Sequence, residues 1–326
     1  MDRIPSFADV ADAAERLRGL ALETPLLESA RLSARVAGRL LVKAELLQRT
    51  GSFKFRGAYN RLSRIGLEDR RRGVVAFSSG NHAQGVAAAA ELLGIAATIV
   101  MPSDAPAIKV ENTRGYGATV VFYDRHSESR EAIGARLAKE QGATLVKPYD
   151  DPYVIAGQGT AGLELARQAA KLDARLDAVL VPTSGGGLIA GCALALKEHD
   201  RGTAVHSVEP EGFDDHRRSL ASGRRERNEP DARSICDALL AESPGEITFE
   251  INRRLLSGGL AVSDDEALRA MRAAFLELKL VLEPSGAVAL AAALSGKFDC
   301  RGKTVAVVCS GGNVDPVTYE RALRTV

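Results

Sequence analysis

The chain has 326 residues, with 43 Lys and Arg against 42 Asp and Glu, so its formal net charge is +1. A charge this small gives no electrostatic reason to bind nucleic acid or an anionic membrane surface. The most apolar stretch, 85–101, contains Glu91 and Gly94 and is too short and too interrupted to cross a bilayer. We therefore expect neither nucleic-acid nor membrane partners.

The length favours two domains, and the four cysteines show no metal-finger spacing. Met1-Asp2-Arg3 leads into a polar helical pattern and not into a secretory leader. These features predict a cytoplasmic protein with reduced cysteines.

Short β-branched runs alternate with helical patterns from about residue 73 onward. The predicted strands are 74–77, 96–100, 118–122, 177–182, 204–208 and 304–309, and the helices between them include 81–93, 127–141, 154–171 and 187–199. This alternation predicts an α/β fold with two open, mostly parallel twisted sheets covered by helices. We assign residues 73–150 to a small domain, and residues 1–72 plus 151–326 to a large one.

Three loops follow predicted strands, where ligands of open α/β sheets bind. The first, SSGNH over 78–82, offers hydroxyl and amide groups at a helix start and suits a carboxylate, or is simply a helix cap. The second, TSGGGL over 183–188, lets free N–H groups surround a phosphate monoester, or is simply a flexible turn. The third, SGGN over 310–313, presents a neutral hydroxyl at a strand end.

Lys54 stands between two phenylalanines in the segment SFKFRGA. A lysine in such a place either extends its amine to solvent along an apolar surface or keeps a desolvated amine for Schiff-base chemistry. The lysine alone leaves both interpretations open.

Together these motifs resemble the fold-type II pyridoxal-phosphate (PLP) enzymes, the tryptophan-synthase-β-like family, and within it the threonine/serine dehydratases and serine racemases. The resemblance runs from Thr24-Pro25-Leu26 to the 310–313 loop and includes GSFK at 51–54, SGNHAQG at 79–85 and IAGQGT at 155–160. It implies PLP in the cleft between the two domains.

The resemblance also implies roles for individual residues. Lys54 would form the Schiff base and then move the Cα proton, Phe53 would lie against the ring, and Asn81 would bind the ring hydroxyl. Ser310 would face the pyridine nitrogen, a neutral partner that implies a largely unprotonated ring. The phosphate would be held by Ser184, Gly185, Gly186, Gly187 and Leu188, and the substrate carboxylate by Ser78, Ser79, Asn81 and His82. Ser184 departs from the family, which usually has glycine there.

A divalent cation site is a further expectation. Glu209, Asp215 and the Phe213 carbonyl match positions that hold a cation in serine racemases, and such oxygen ligands suit Mg²⁺ or Ca²⁺. An acidic, solvated loop would give the same sequence. Glu283 falls in a family segment near the cofactor, but its role stays open.

The implied reaction is β-elimination, the dehydration and deamination of a hydroxy amino acid such as L-threonine or L-serine to a 2-oxo acid and ammonia. One alternative is a racemase, in which Lys54 and Ser79 act as catalytic acid and base on opposite faces of the substrate. Others are a dehydratase of 3-hydroxyaspartate or of a hydroxyectoine-degradation intermediate, and a non-enzymatic PLP- or amino-acid-binding protein. We expect a homo-oligomer, a dimer or tetramer, from the same resemblance.

Overall fold

The computed structural model describes residues 3–78, 80–105, 107–124 and 127–325. They form two β-sheets covered by helices. The strands are β1 (Leu26–Glu28), β2 (Arg39–Ala44), β3 (Val74–Phe77), β4 (Ala97–Pro102), β5 (Thr119–Tyr123), β6 (Thr144–Val146), β7 (Ala178–Pro182), β8 (Ala204–Pro210), β9 (Gly258–Val262) and β10 (Thr304–Cys309). The helices are α1 (Phe7–Leu17), α2 (Ala30–Arg35), α3 (Lys54–Leu62), α4 (Leu67–Arg71), α5 (Asn81–Leu93), α6 (Ala107–Gly115), α7 (Arg130–Gln141), α8 (Pro152–Lys171), α9 (Gly187–His199), α10 (Asp215–Ser222), α11 (Glu246–Leu255), α12 (Asp264–Ala273), α13 (Pro284–Leu294) and α14 (Pro316–Arg324).

The larger sheet has six strands in the order β1-β2-β10-β7-β8-β9, and all neighbours are parallel except β1 and β2. Consecutive side chains of β10 point to opposite faces of the sheet and pack in two different hydrophobic clusters. Val305 and Val307 pack in the cluster with α12 and α13, whereas Ala306 and Val308 pack in the cluster with α8 and α9. Burial on both faces explains why β10 is an almost continuous apolar run.

The smaller sheet has four parallel strands in the order β5-β4-β3-β6. Val74 and Ala76 of β3 pack in the cluster with α3 and α5, and Val75 and Phe77 pack in the cluster with α7. The two sheets confirm the predicted fold class. Because α3 shares a core with the smaller sheet although β1 and β2 belong to the larger one, the domain boundary at residue 72 stays a prediction.

The six predicted strands are present to within two residues at each end. The helix predicted over 127–141 begins later, at Arg130, because the Ser129 hydroxyl caps it by accepting the N–H of Ala132 at 3.2 Å. The segment 212–234, whose Arg, Glu and Pro content predicts a loop, contains α10. Sequence patterns miss β1, β2, β6 and β9, which are short or carry charged residues and glycines.

A buried ion network anchors α3. The Arg56 guanidinium donates to Glu45 at 2.8 Å and to Glu164 at 2.6 Å, and the Lys43 ammonium donates to Glu164 at 2.7 Å. Arg56, Lys43 and Glu45 are almost fully buried. Burial alone would lower the pKa of Arg56, but the two carboxylates outweigh it and raise that pKa. The four charges cancel, so α3 is tied to β2 and α8 with no net buried charge.

Among the described residues, no helix is both long and apolar enough to cross a membrane.

Replacing Arg56 with Ala should destabilise the fold severely, because it leaves the Glu45 carboxylate buried without its counter-charge. The expected loss is about 3–5 kcal/mol in the free energy of unfolding. Urea unfolding at a fixed cofactor concentration measures it. Arg136→Ala is the control, since its pair with Glu140 is exposed and should contribute less than about 0.5 kcal/mol. Equal stability of the two variants would contradict the anchoring role of Arg56.

Candidate active site

A cavity lies where the loops that follow β3, β7 and β10 meet. This is the place where ligands of open α/β sheets bind. The described residues that the sequence assigned to cofactor and substrate all line this cavity: Phe53, Lys54, Ser78, Asn81, His82, Ser184, Gly185, Gly186, Gly187, Leu188 and Ser310. Ser79 lies outside the described residues.

Lys54 is the first residue of α3, and its amine points into the cavity. The Nζ atom donates to the Pro148 carbonyl at 2.9 Å and lies 5.2 Å from the centre of the Phe53 ring. Removal from solvent lowers the pKa of Lys54 to about 8. An amine that loses its proton this easily suits both Schiff-base formation and proton transfer.

The loop between β7 and α9 forms an anion cradle. In the described part of the chain, the N–H groups of Gly185, Gly186, Gly187 and Leu188 have no acceptor. Gly186 has a φ of +95°, which a side chain would disfavour. These free donors, at the N-terminus of a 13-residue helix, fit a phosphate group.

Neighbouring segments hold this loop in place. The Gly185 carbonyl accepts from the Thr248 hydroxyl at 2.6 Å, and the Ser184 hydroxyl accepts the N–H of Ala241 at 3.2 Å. A Cβ atom on Gly185 would lie 2.3 Å from the Tyr149 ring. Gly185 must therefore stay without a side chain, whereas the hydroxyl of Ser184 has a use in fixing residues 237–241.

Asn81, the first residue of α5, is held by two polar partners. Its amide nitrogen donates to Glu283 at 2.5 Å, and its amide oxygen accepts from Asn313 at 2.7 Å. One amide hydrogen of Asn81 stays available, which fits the predicted bond to the cofactor's ring hydroxyl.

Glu283, whose role the sequence left open, thus orients Asn81. Burial, reinforced by the nearby Asp237 carboxylate, raises the pKa of Glu283 to about 7, although Lys109 opposes that rise. Its second oxygen is buried and has no partner among the described residues.

Ser310 is a largely buried residue that follows β10 and lines the cavity, and its hydroxyl forms no hydrogen bond within the described chain. Its backbone is fixed, because its carbonyl accepts the N–H of Phe53 at 3.2 Å and its N–H donates to Gly286 at 3.3 Å. The free hydroxyl fits a neutral partner for a pyridine nitrogen.

The predicted carboxylate site is at the start of α5. The Ser78 hydroxyl accepts the N–H of Gly80 at 3.1 Å, and the ring Nε2 of His82 lies 3.2 Å from the Val146 carbonyl. Burial and the charge of Lys54 lower the pKa of His82 to about 3, so the imidazole is neutral. His82 therefore offers no positive charge to a carboxylate here, but the N–H groups of the first turn of α5 do attract one.

Some cavity residues were not assigned from the sequence. Lys109 of α6 forms an ion pair with Asp237 across the cavity, and Arg130 begins α7 with its guanidinium carbon 5.8 Å from the Phe77 ring centre. Tyr149 is a further lining residue. Neither Lys109 nor Arg130 belongs to a recognisable motif, and both stand at helix positions that are typical of ordinary solvated charges.

Glu209, Phe213 and Asp215, the predicted cation ligands, lie outside the cavity lining, and the two carboxylates are close together. Glu209 lies near the end of β8, and its carboxylate accepts the N–H groups of His216 at 2.7 Å and Arg217 at 2.8 Å. Burial and the Asp215 charge raise the pKa of Glu209 well above its usual range. The two carboxylates are therefore not a solvated loop start, but whether they hold an ion stays a prediction.

The chain resembles known proteins over almost its whole length. Residues 17–311 match the family described as pyridoxal-phosphate dependent enzyme. An L-threo-3-hydroxyaspartate ammonia-lyase from Pseudomonas sp is 47% identical over 99% of this chain and 99% of its own. A threonine deaminase from T.th. is 46% identical with a TM-score of 0.90, covering 95% and 99% of the two chains. A maize serine racemase is 38% identical with a TM-score of 0.92, covering 98% and 97%.

The lowered pKa of Lys54 makes cofactor uptake pH-dependent. Only the neutral amine attacks an aldehyde, so the rate of PLP uptake by the cofactor-free protein should rise through a midpoint near pH 8 and then level off. Stopped-flow absorbance between about pH 6 and 10.5 follows the reaction, with N-acetyl-lysine as the exposed control amine. A rate that still climbs at the pKa of an ordinary lysine, about 10.4, would show that Lys54 is not desolvated.

Proposed function

Because the chain belongs to the pyridoxal-phosphate dependent enzyme family, we propose that it is a PLP-dependent ammonia-lyase that removes water and ammonia from a small hydroxy amino acid. The observation that carries this proposal is the position of Lys54. Its desolvated amine lies in one cavity with the phosphate cradle of residues 185–188 and with the first turn of α5. This arrangement places a base, a cofactor anchor and a carboxylate site within reach of one small substrate.

Bound PLP supplies an electron sink that makes the Cα–H of an amino acid acidic. The protein supplies the rest. The free N–H groups at the start of α5 hold the substrate carboxylate, and this fixes the Cα atom relative to Lys54. With a pKa of about 8, the amine of Lys54 is basic enough to take the Cα proton and weak enough to release it afterwards.

The cavity also indicates the substrate class. Each of the two cations has one carboxylate partner, but the Lys109 side chain is buried in its pair with Asp237, whereas the pair of Arg130 with Glu131, at 2.8 Å, is exposed on both sides and exchanges partners more easily. Arg130 is thus the cation best able to bind a second carboxylate on the substrate. This favours an acidic hydroxy amino acid, the class named for the Pseudomonas relative, over the uncharged L-threonine and L-serine expected from the sequence.

Racemisation is a second candidate, favoured by the likeness to the maize serine racemase. It needs a proton donor on the face of the substrate opposite Lys54. Ser79, the residue expected to serve, lies outside the described residues. Product analysis separates the two reactions, since elimination forms a 2-oxo acid and ammonia whereas racemisation leaves the amino acid intact.

We further propose that the protein is cytoplasmic, that it assembles into a homo-oligomer, and that Glu209, Asp215 and the Phe213 carbonyl bind a divalent cation such as Mg²⁺ or Ca²⁺. The four cysteines are buried and form no disulfide, which suits a reducing compartment. The cation is supported by the absence of any cationic side chain hydrogen-bonded to Glu209 or Asp215 within the described chain.

Lys54→Ala tests the reaction. The variant should lose the visible absorbance of the lysine-bound cofactor and lose elimination by at least about a thousandfold, because one amine serves both purposes. Release of 2-oxo acid from L-threo-3-hydroxyaspartate, L-threonine and L-serine is the measurement. Lys303→Ala, a lysine outside the cavity lining, is the matched control. Near-normal turnover by Lys54→Ala would refute the assignment.

Arg130→Gln tests the substrate class. A lost charge-assisted bond of about 1.5–3 kcal/mol should lower kcat/KM for L-threo-3-hydroxyaspartate roughly 10- to 100-fold. The value for L-serine, which has no second carboxylate, should change less than about threefold by the same argument. Arg136→Gln on the same helix is exposed and should leave both values unchanged. Equal losses for both substrates would show that Arg130 supports the fold and does not determine substrate specificity.

A further inference from the structure

The Ser184 hydroxyl connects the phosphate cradle to the segment 237–241. Its oxygen accepts the N–H of Ala241 at 3.2 Å. A hydroxyl that accepts one hydrogen bond still has its own hydrogen to donate, and this hydrogen has no acceptor in the described chain. Because Ser184 is half-buried and lines the cavity, the hydrogen is available to a phosphate in the cradle.

The hydroxyl is an addition to the cradle. The N–H groups of residues 185–188 already offer their donors to a phosphate without it. What Ser184 adds is a contact that reaches both the phosphate site and a second wall of the cavity.

Segment 237–241 forms that second wall. Leu239 packs in the cluster with α12 and α13, and the N–H of Ala238 donates to the Ser285 hydroxyl in α13 at 3.0 Å. The segment is thus a short connection between the larger sheet and the cradle. The position of its first residue, Asp237, therefore depends on the contact made at its last.

Asp237 extends this connection to the smaller sheet. It forms an ion pair with Lys109 of α6, and Val110, the next residue of α6, packs in the cluster with α3 and α5. The Lys109 side chain is buried, and a Cβ atom on Gly80 would lie 3.3 Å from its Nζ atom. The ammonium therefore lies beside the first turn of α5, where the substrate carboxylate is proposed to bind.

We propose that Ser184 is a positioning residue that couples the phosphate site to the substrate-carboxylate site through segment 237–241 and the Asp237–Lys109 pair. A phosphate that accepts the hydroxyl hydrogen makes the Ser184 oxygen a stronger acceptor for the N–H of Ala241, because hydrogen bonds in a chain polarise one another. The segment and the ion pair are then held more firmly beside α5. By linkage, phosphate and carboxylate should strengthen each other's binding by the same factor. This inference rests on the PLP-dependent function proposed above.

The first measurement is the dissociation constant of PLP, obtained by equilibrium dialysis of the PLP-loaded enzyme. Ser184→Ala should weaken PLP binding about 10- to 100-fold, since it removes a hydrogen bond to a charged group. Ser184→Thr, which keeps the hydroxyl, should stay within about threefold of the wild type by the same argument. Ser222→Ala, at an exposed serine, is the control and should have no effect. Pyridoxal, which lacks the phosphate, should bind the wild type and Ser184→Ala equally.

The second measurement tests the path between the two sites. Lys109→Gln should weaken PLP binding at least about threefold in the wild-type background but less than about 1.5-fold in the Ser184→Ala background, because the effect reaches the phosphate through Ser184. Lys139→Gln, at an exposed lysine of α7, is the matched control. Circular dichroism confirms that each variant is folded.

Propionate, which has a carboxylate but no amine to react with the cofactor, reports the carboxylate site. Calorimetry of the enzyme saturated with PLP should give a propionate affinity that falls at least about threefold with Ser184→Ala. An unchanged propionate affinity would contradict the connection to the start of α5.

The other failures are distinct. If Ser184→Ala binds PLP like the wild type, or loses pyridoxal as much as PLP, the hydroxyl does not act on the phosphate and the inference is wrong. If Lys109→Gln weakens PLP binding equally in both backgrounds, its charge acts through space, and the path through segment 237–241 is refuted. A wild type that bound no PLP would refute the proposed function as well, whereas uncoupled variants of a PLP-binding wild type refute the coupling alone.

Discussion

The buried pairing of Arg56 with Glu45 and Glu164 is the constraint on which the rest of the site depends. Arg56 lies two residues after Lys54 in the first turn of α3, so fixing its guanidinium fixes the direction in which the Lys54 amine leaves the helix. Both carboxylates come from outside α3, Glu45 after β2 and Glu164 in α8. A planar guanidinium that binds both of them cannot shift without breaking several charged bonds in the interior. The network therefore fixes the position of Lys54 more precisely than an apolar contact of the same size would.

Close packing of helices also helps to position Lys54. A Cβ atom on Gly157 of α8 would lie 2.7 Å from the Cα of Gly57 in α3, and one on Gly191 of α9 would lie 2.7 Å from the Cα of Gly159 in α8. Glycines at these crossings let the three helices approach nearly backbone to backbone. Lys54 begins α3 and the anion cradle leads into α9, so α8 is the spacer that sets the distance between them. The glycines of the segment IAGQGT therefore act on geometry and not on chemistry.

Much of this could be predicted from the sequence, for physical reasons that differ between elements. β10 and β7 are buried on both faces, so their apolar runs were visible without any knowledge of their neighbours, and the loops that follow them carried the site. Lys54 alone left two interpretations open, and the triple glycine could have been a flexible turn, so both were assigned only through the conjunction of motifs and the family resemblance that it carries. β2 was not found because it carries Arg39 and Lys43, whose partners Glu28 and Glu164 only the fold brings near. Lys109 and Arg130 were missed because a cation on a helix is normally solvated, and only the fold shows that these two line the cavity.

The phosphate cradle is the element that these separate features share. Gly186 lies over the His216 ring, and Gly185 packs against the Tyr149 ring. Tyr149 follows Pro148, whose carbonyl holds the Lys54 amine. Asp150 comes next and accepts the N–H of Ile247 at 2.9 Å, which ties this segment to α11.

A single short path thus joins the amine, the phosphate site and the buried carboxylates, with a packed contact or hydrogen bond at each step. A change at the cradle must be felt both at the amine and at His216, because neither glycine can accept a side chain without displacing the ring beside it. Cofactor retention and the base strength of Lys54 are for that reason best regarded as one coupled property of this loop.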